Sequence, residues 1–98
     1  MNILRITAQA NPLKEDELKQ ALKSALEKTS KFEGVKNCCC KNLFQNDIIH
    51  IEQEWEDSNN LERYLKGKEY QFLIGAITVL GELKDQKIIK TDSVEKIE

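Results

Sequence analysis

The sequence has 98 residues, 40% hydrophobic and 33% charged, with a single Pro and four Gly; this is chain enough for one core, too little for two, and far from a disordered or collagen-like composition. Fifteen basic against seventeen acidic residues leave a formal charge of -2, and no block of Lys or Arg interleaved with aromatics offers itself to a phosphate backbone, which argues against nucleic acid as a partner. No apolar stretch reaches the roughly 18 residues of a membrane span and the N-terminal stretch lacks the pattern of a signal peptide, so the expectation is a soluble cytoplasmic protein with residues 1–98 as one domain and no membrane partner.

Asn2 to Ala10 alternate, with Leu4, Ile6, Ala8 and Ala10 on one face and Arg5, Thr7 and Gln9 on the other, which predicts a half-buried strand. Asn11-Pro12 then starts a helix, because Asn can cap free amides and Pro at the first helical position loses no bond. Leu18, Ala21, Leu22, Ala25, Leu26 and Thr29 recur at helical spacing, so this helix should run to about Ser30. Glu15, Asp16 and Glu17 in its first turn suit the helix dipole, and the remaining Lys and Glu residues read as a solvated face.

Beyond Gly34, Val35 to Phe44 and Ile48 to about Trp55 read as a hairpin turning around Asn46-Asp47. Two registers are open. A two-residue turn groups Cys38, Cys40 and Phe44 with Ile49, Ile51 and Trp55, while a three-residue turn groups the cysteines with His50, Glu52 and Glu54. The first is preferred, because it gathers the apolar side chains on one face. Asp57 or Ser58 then caps a short helix to about Lys66, Gly67 separates it from a second run from Lys68 to Leu80, and Gly81 ends that run. Leu73, Ile77 and Leu80 form the stripe of the second run, widened by Tyr70, Phe72, Ile74 and Ala76. Lys87 to about Ile97 reads as a fourth, long strand.

The order is therefore βαββαβ, an α+β, ferredoxin-like plan with a four-stranded antiparallel sheet. This order, together with Glu54-Trp55-Glu56-Asp57-Ser58, Leu61-Glu62-Arg63-Tyr64-Leu65, Tyr70-Gln71-Phe72-Leu73 and Ile88-Ile89, resembles the antibiotic biosynthesis monooxygenase domain family. The resemblance implies a homodimer in which two protomers pack sheet against sheet as a dimeric α+β barrel, with Lys87 to Ile97 reaching the partner. It further implies a monooxygenase-like oxidoreductase that needs no cofactor or metal and takes a small aromatic or quinone-like molecule as its ligand.

Within that frame Trp55, Tyr64, Tyr70 and Phe72 are expected to shape a ligand-binding cleft between sheet and helices, with Tyr64 as the catalytic or polar contact. Each has a plainer alternative: Trp55 as an anchor between sheet and helices, Tyr64 as a packing residue. Haem-degrading relatives carry an Asn on the first strand, a Trp in the short helix and a His in the next; here Ala10 or a neighbour, Tyr64, and no His in Lys68 to Leu80 stand instead, so haem degradation is not expected. Many other relatives have His where Tyr64 stands. Without that imidazole the obvious proton-transfer group at neutral pH is gone, which opens a second reading as a non-catalytic binding or regulatory domain.

Two further clusters stand outside this frame. His50, Glu52 and Glu54 make a row at strand spacing, either an acid–base or ligand row or a solvated one. Cys38, Cys39 and Cys40 are adjacent, so they form no ordinary disulfide framework. They read as small buried residues, as a thiol sensor if Lys36 or Lys41 lowers a thiol pKa, or, in the second register with His50, as a Zn²⁺ site whose spacing is unusual.

Overall fold

The computed structural model describes residues 2–43, 47–90 and 94–97. In chain order the elements are β1 (Asn2–Ala10), a 3₁₀ turn (Pro12–Lys14), α1 (Glu15–Thr29), β2 (Val35–Leu43), β3 (Ile48–Trp55), α2 (Ser58–Leu65), α3 (Lys68–Leu80), β4 (Gly81–Lys90) and β5 (Val94–Lys96). The strands form one antiparallel sheet in the order β2-β3-β1-β4-β5. Its first four strands are the ferredoxin-like sheet expected from the sequence, and the short β5 extends its edge.

β1 takes the centre because it can be covered on one side without loss. Leu4, Ile6, Ala8 and Ala10 are all buried while Ile3, Arg5, Thr7 and Gln9 on the other face are only half-buried. The helices cover the first face. From α1 come Leu18, Leu22, Ala25 and Thr29, from α2 Leu61 and Tyr64, and from α3 Tyr70, Leu73 and Ile77. With Ile49, Ile51 and Trp55 of β3 they make one apolar cluster. Fully burying a side chain the size of Leu or Ile contributes about 1.5–3 kcal/mol, so this layer of helix on sheet dominates the stability of the chain.

The helix start at Asn11-Pro12 resolves into two pieces. Asn11 caps the 3₁₀ turn, its side-chain oxygen accepting from Leu13 N at 3.0 Å, and the α-helix proper begins at Glu15. α2 is capped by Asp57, whose carboxylate accepts from Asn59 N at 2.7 Å.

The hairpin keeps the preferred grouping of faces with a different turn. Leu43 pairs with Ile48, Cys40 with Ile51 and Cys38 with Gln53, so Cys38 and Cys40 share the helix-facing side with Ile49, Ile51 and Trp55. This register is shifted by two residues from the preferred one, and an even shift preserves the face of every side chain. Phe44 and Asn46 lie outside the described residues. Asp47 has φ 55° and its carbonyl accepts from Ala10 N at 3.0 Å.

The last strand begins earlier than its sequence pattern suggests. β4 starts at Gly81 and pairs along all of β1 from Gly81↔Ala10 to Lys90↔Asn2. Glu82 to Gln86 hold one apolar residue, Leu83, so their alternation is hidden by polar side chains at the sheet's outer face. Nor does the strand continue unbroken to Ile97: Val94–Lys96 folds back on β4, with Val94 opposite Ile89. Gly81 is needed for space, since a Cβ there would stand 2.3 Å from Gln9 O. No helix among the described residues is long and apolar enough to cross a membrane.

Candidate functional site

The aromatic residues singled out in the sequence come together in part. Trp55 at the end of β3, Tyr64 on α2 and Tyr70 at the start of α3 pack in series, tilted for Trp55–Tyr64 with ring centroids 5.1 Å apart and edge-to-face for Tyr64–Tyr70 at 5.5 Å. Phe32, in the loop after α1, joins them at 5.4 Å from Tyr64 and 6.4 Å from Trp55. Phe72 does not. It lies half-exposed, with the Lys28 ammonium 5.9 Å from its ring centre, because positions 70 and 72 point to different sides of a helix.

Trp55 and Tyr64 are inside the protein, at 0% and 1% exposure, and their polar atoms are joined in a chain. Trp55 Nε1 donates to Gln53 Oε1 at 3.2 Å, and Gln53 Nε2 donates to the Tyr64 hydroxyl at 3.0 Å. Thr29 Oγ1 gives its own hydrogen to Ala25 O at 2.9 Å. The 3.2 Å contact between Tyr64 and Thr29 therefore runs from the tyrosine hydroxyl to Oγ1. Each hydrogen in the chain points the same way, from β3 through α2 into α1. Burial raises the Tyr64 pKa, with the bonds to Thr29 and Gln53 opposing it. Tyr64 is a neutral phenol whose hydrogen is committed to the core, and it also borders a small hollow of about 220 Å³ with Phe32, Glu33, Asn60 and Arg63.

Next to Tyr64 the aromatic series reaches the surface at Tyr70, 8% exposed. Tyr70 borders a hollow of about 500 Å³ that lies between α3 and β4, walled by Leu65, Ile74 and Ile97 and carrying Gln71 and Gln86 as its polar side chains. Ile97 is fixed there by its amide, which donates to Gln86 O at 3.0 Å. The Tyr70 hydroxyl donates to Gln86 Oε1. Burial, and then the neighbouring Tyr64, push the Tyr70 phenol from 10.0 up to about 12. The hollow therefore offers an amide N–H₂ donor and a phenol oxygen acceptor side by side on an apolar wall, suited to a flat molecule bearing a carbonyl or hydroxyl. Among the described residues none of its walls carries a carboxylate, imidazole or ammonium.

The other candidates are separated by the sheet. His50, Glu52 and Glu54 lie on the face away from the helices: His50 Nδ1 is 3.2 Å from Thr7 Oγ1, and Glu52 is paired with Arg5 at 3.3 Å. Cys38 and Cys40 point to the opposite face, so the arrangement that joins them to His50 is not formed. Among the described residues no three His, Cys, Asp or Glu side chains are grouped to hold a metal. Nor are the thiols of Cys38 and Cys40 activated. Desolvation and then Cys39 and Cys40 push Cys38 up to about 11, and Cys40 is raised mainly by desolvation. Lys36, expected from the sequence as an activating neighbour, is bound to Glu56 at 3.3 Å.

Sequence patterns passed over Gln53 and Gln86, and gave Thr29 only as a member of the α1 stripe. Gln53 carried a usable signal, as a polar residue on the buried side of a strand between Ile51 and Trp55, where it must find partners.

No family model matches the chain, and no curated protein does. Solved structures do. A candidate antibiotic biosynthesis monooxygenase from Deinococcus radiodurans superposes with a TM-score of 0.80 at 21% identity, covering 100% of this chain and 97% of its own. A conserved protein from Bacteroides thetaiotaomicron, suggested to be an oxidoreductase, gives 0.80 at 19%, covering 90% and 94%. A candidate antibiotic biosynthesis monooxygenase from Nitrosomonas europaea gives 0.76 at 10%, covering 91% and 94%. At these identities the likeness establishes a shared fold over nearly the whole length of both chains.

Proposed function

We propose that this chain is a monooxygenase-like protein of the cytoplasm that works as a homodimer and takes a small aromatic or quinone-like molecule into the Tyr70–Gln86 hollow without a bound cofactor. The observation that carries this reading is the hollow itself, where an amide donor and a phenol acceptor sit on an apolar wall backed by the Trp55–Tyr64–Tyr70 series. The fold shared with candidate monooxygenases supports the reaction class.

In such a reaction the substrate supplies the electrons: a phenolic ring gives up one ring hydrogen and the hydrogen of its hydroxyl, one oxygen atom of O₂ enters as a carbonyl on the ring carbon that lost its hydrogen, and the other leaves with the two hydrogens as water. The protein's part is to exclude water, hold the ring, and place the Gln86 amide and Tyr70 phenol beside the oxygen on which charge develops. The outer sheet face, where Ile3 is paired with Ile89 beside the Arg5–Glu52 bridge, supports dimerisation through the sheet.

A second reading, a non-catalytic binding or regulatory domain, is favoured by one observation: among the described residues the hollow holds no group that takes a proton near neutral pH, Tyr70 being held at about 12. Oxygen uptake and melting temperature with a panel of quinols and polyphenols decide between them. Uptake that Tyr70→Phe reduces supports the oxygenase. A ligand-dependent rise in melting temperature with no uptake supports binding alone, and neither response with any compound removes both.

A further inference from the structure

A second hollow, of about 350 Å³, lies on the other side of the molecule, between α1 and the edge strand β2. Leu22 and Leu26 form its floor, Lys19 and Lys23 stand on its helix side, and Cys38 and Cys40 on its strand side. Cys39 also borders it, but alternation along the strand sends that side chain to the outer face, where it sits with Glu52 and Glu54 around a separate small hollow.

From this juxtaposition we infer that Cys38 and Cys40 form a two-coordinate site for a soft monovalent cation, cuprous ion, held in the groove between α1 and β2. Side chains two apart on a strand point the same way, and their Cα atoms lie roughly 6.6 Å apart. That is at the far limit for a disulfide, whose sulfurs must approach to about 2.05 Å. An ion between them relaxes the demand: with metal–sulfur bonds on the order of 2.3 Å the sulfurs sit up to about 4.6 Å apart.

Thiolate ligands suit both Cu(I) and Zn²⁺, but Zn²⁺ wants four ligands in a structural site and the described residues group no three, which leaves the ion that two thiolates can satisfy. Charge favours the same ion. Binding Cu⁺ to two thiols releases two protons and leaves a complex of net charge -1, and two ammonium groups, Lys19 and Lys23, against one carboxylate, Glu27, border the groove from the facing helix. Lys19 is held by Glu15 at 2.9 Å, one helical turn away, which fixes its place on that wall. The leucine floor gives the ion an apolar wall on one side, while Cys40 stays exposed on the other.

The test is a titration of the reduced, full-length protein with cuprous ion, anaerobically, against a chromophoric Cu(I) chelator. One ion per chain is expected, and X-ray absorption at the copper edge should show two sulfur ligands. Cys38→Ser and Cys40→Ser should each weaken binding by more than about 100-fold, since losing even an outer partner of a ligand costs 10- to 100-fold. Cys39→Ser should leave it unchanged. No retention against the chelator, one ion per two chains, three or more sulfurs at the copper edge, or equal damage from Cys39→Ser would each overturn the assignment. The spectroscopic count stands even if one serine variant does not fold.

Discussion

The Tyr64 hydroxyl accepts a hydrogen bond from Gln53 Nε2 at 3.0 Å and donates its own hydrogen to Thr29 Oγ1. This pair of bonds ties β3 and α1 to the short helix α2. It also explains why an aromatic residue occupies this place in the chain. Only a side chain long enough to cross from α2 to the sheet, with an atom that both donates and accepts, closes the chain from Trp55 to Ala25.

Tyr64→Phe should therefore be a stability variant. It leaves the Gln53 amide and Thr29 oxygen short of a buried partner, which costs about 1–3 kcal/mol, read as a lower urea midpoint with unchanged slope. Ligand affinity at the Tyr70 hollow should stay within about twofold of the parent. A large loss of turnover or affinity at full stability would restore Tyr64 to a ligand-contacting role.

Tyr70→Phe should have the opposite profile. The ring that packs on Tyr64 remains, while the hydroxyl that holds Gln86 and faces the hollow is removed. Loss of one hydrogen bond of about 1.4 kcal/mol corresponds to about tenfold in affinity. Isothermal titration with a quinol that raises the melting temperature of the parent gives the comparison. Equal affinity for parent and variant would place the ligand elsewhere.

High pH should loosen the fold through the same residue. The Tyr70 phenol is raised in the folded chain from 10.0 to about 12, so between those values the unfolded chain has given up the proton while the folded chain retains it. Stability then falls as pH rises. The contribution is fully present below pH 10 and is lost through about pH 12. Urea titrations across this range should show a steeper fall for the parent than for Tyr70→Phe, with tyrosinate absorbance tracking the ionisation. Parallel curves would show that Tyr70 does not govern it.

Gly81→Ala should be poorly tolerated. The added Cβ would meet Gln9 O at 2.3 Å across the β1–β4 pair, and relieving it means moving the backbone of the central strand. A loss of about 1–3 kcal/mol or more is expected from such overpacking. By comparison, Asp57→Ala removes only the α2 cap and should cost about 1 kcal/mol. Thermal unfolding of both variants ranks them, and a Gly81→Ala as mild as Asp57→Ala would mean the strand ends separate easily.

Periodicity in the sequence determined the kinds and order of the elements and the buried face of β1, because Leu4, Ile6, Ala8 and Ala10, or Leu18, Leu22 and Ala25, repeat at a spacing that only one backbone geometry places on one side. It also favoured the face of Cys38 and Cys40, since the apolar grouping with Ile51 and Trp55 is the one that buries most surface. The early start of β4 was hidden, because Glu82 to Gln86 are polar and their pairing comes from β1 rather than from their own pattern. The site was legible only as a set of aromatic residues. Which of them faces a ligand depends on partners distant in the chain: Tyr64 is drawn inward by residues 35 and 11 positions away, and Tyr70 meets Gln86 across 16. A residue's spacing states which face is covered, and only the tertiary packing decides which hydroxyl is consumed by the core and which is left to the hollow.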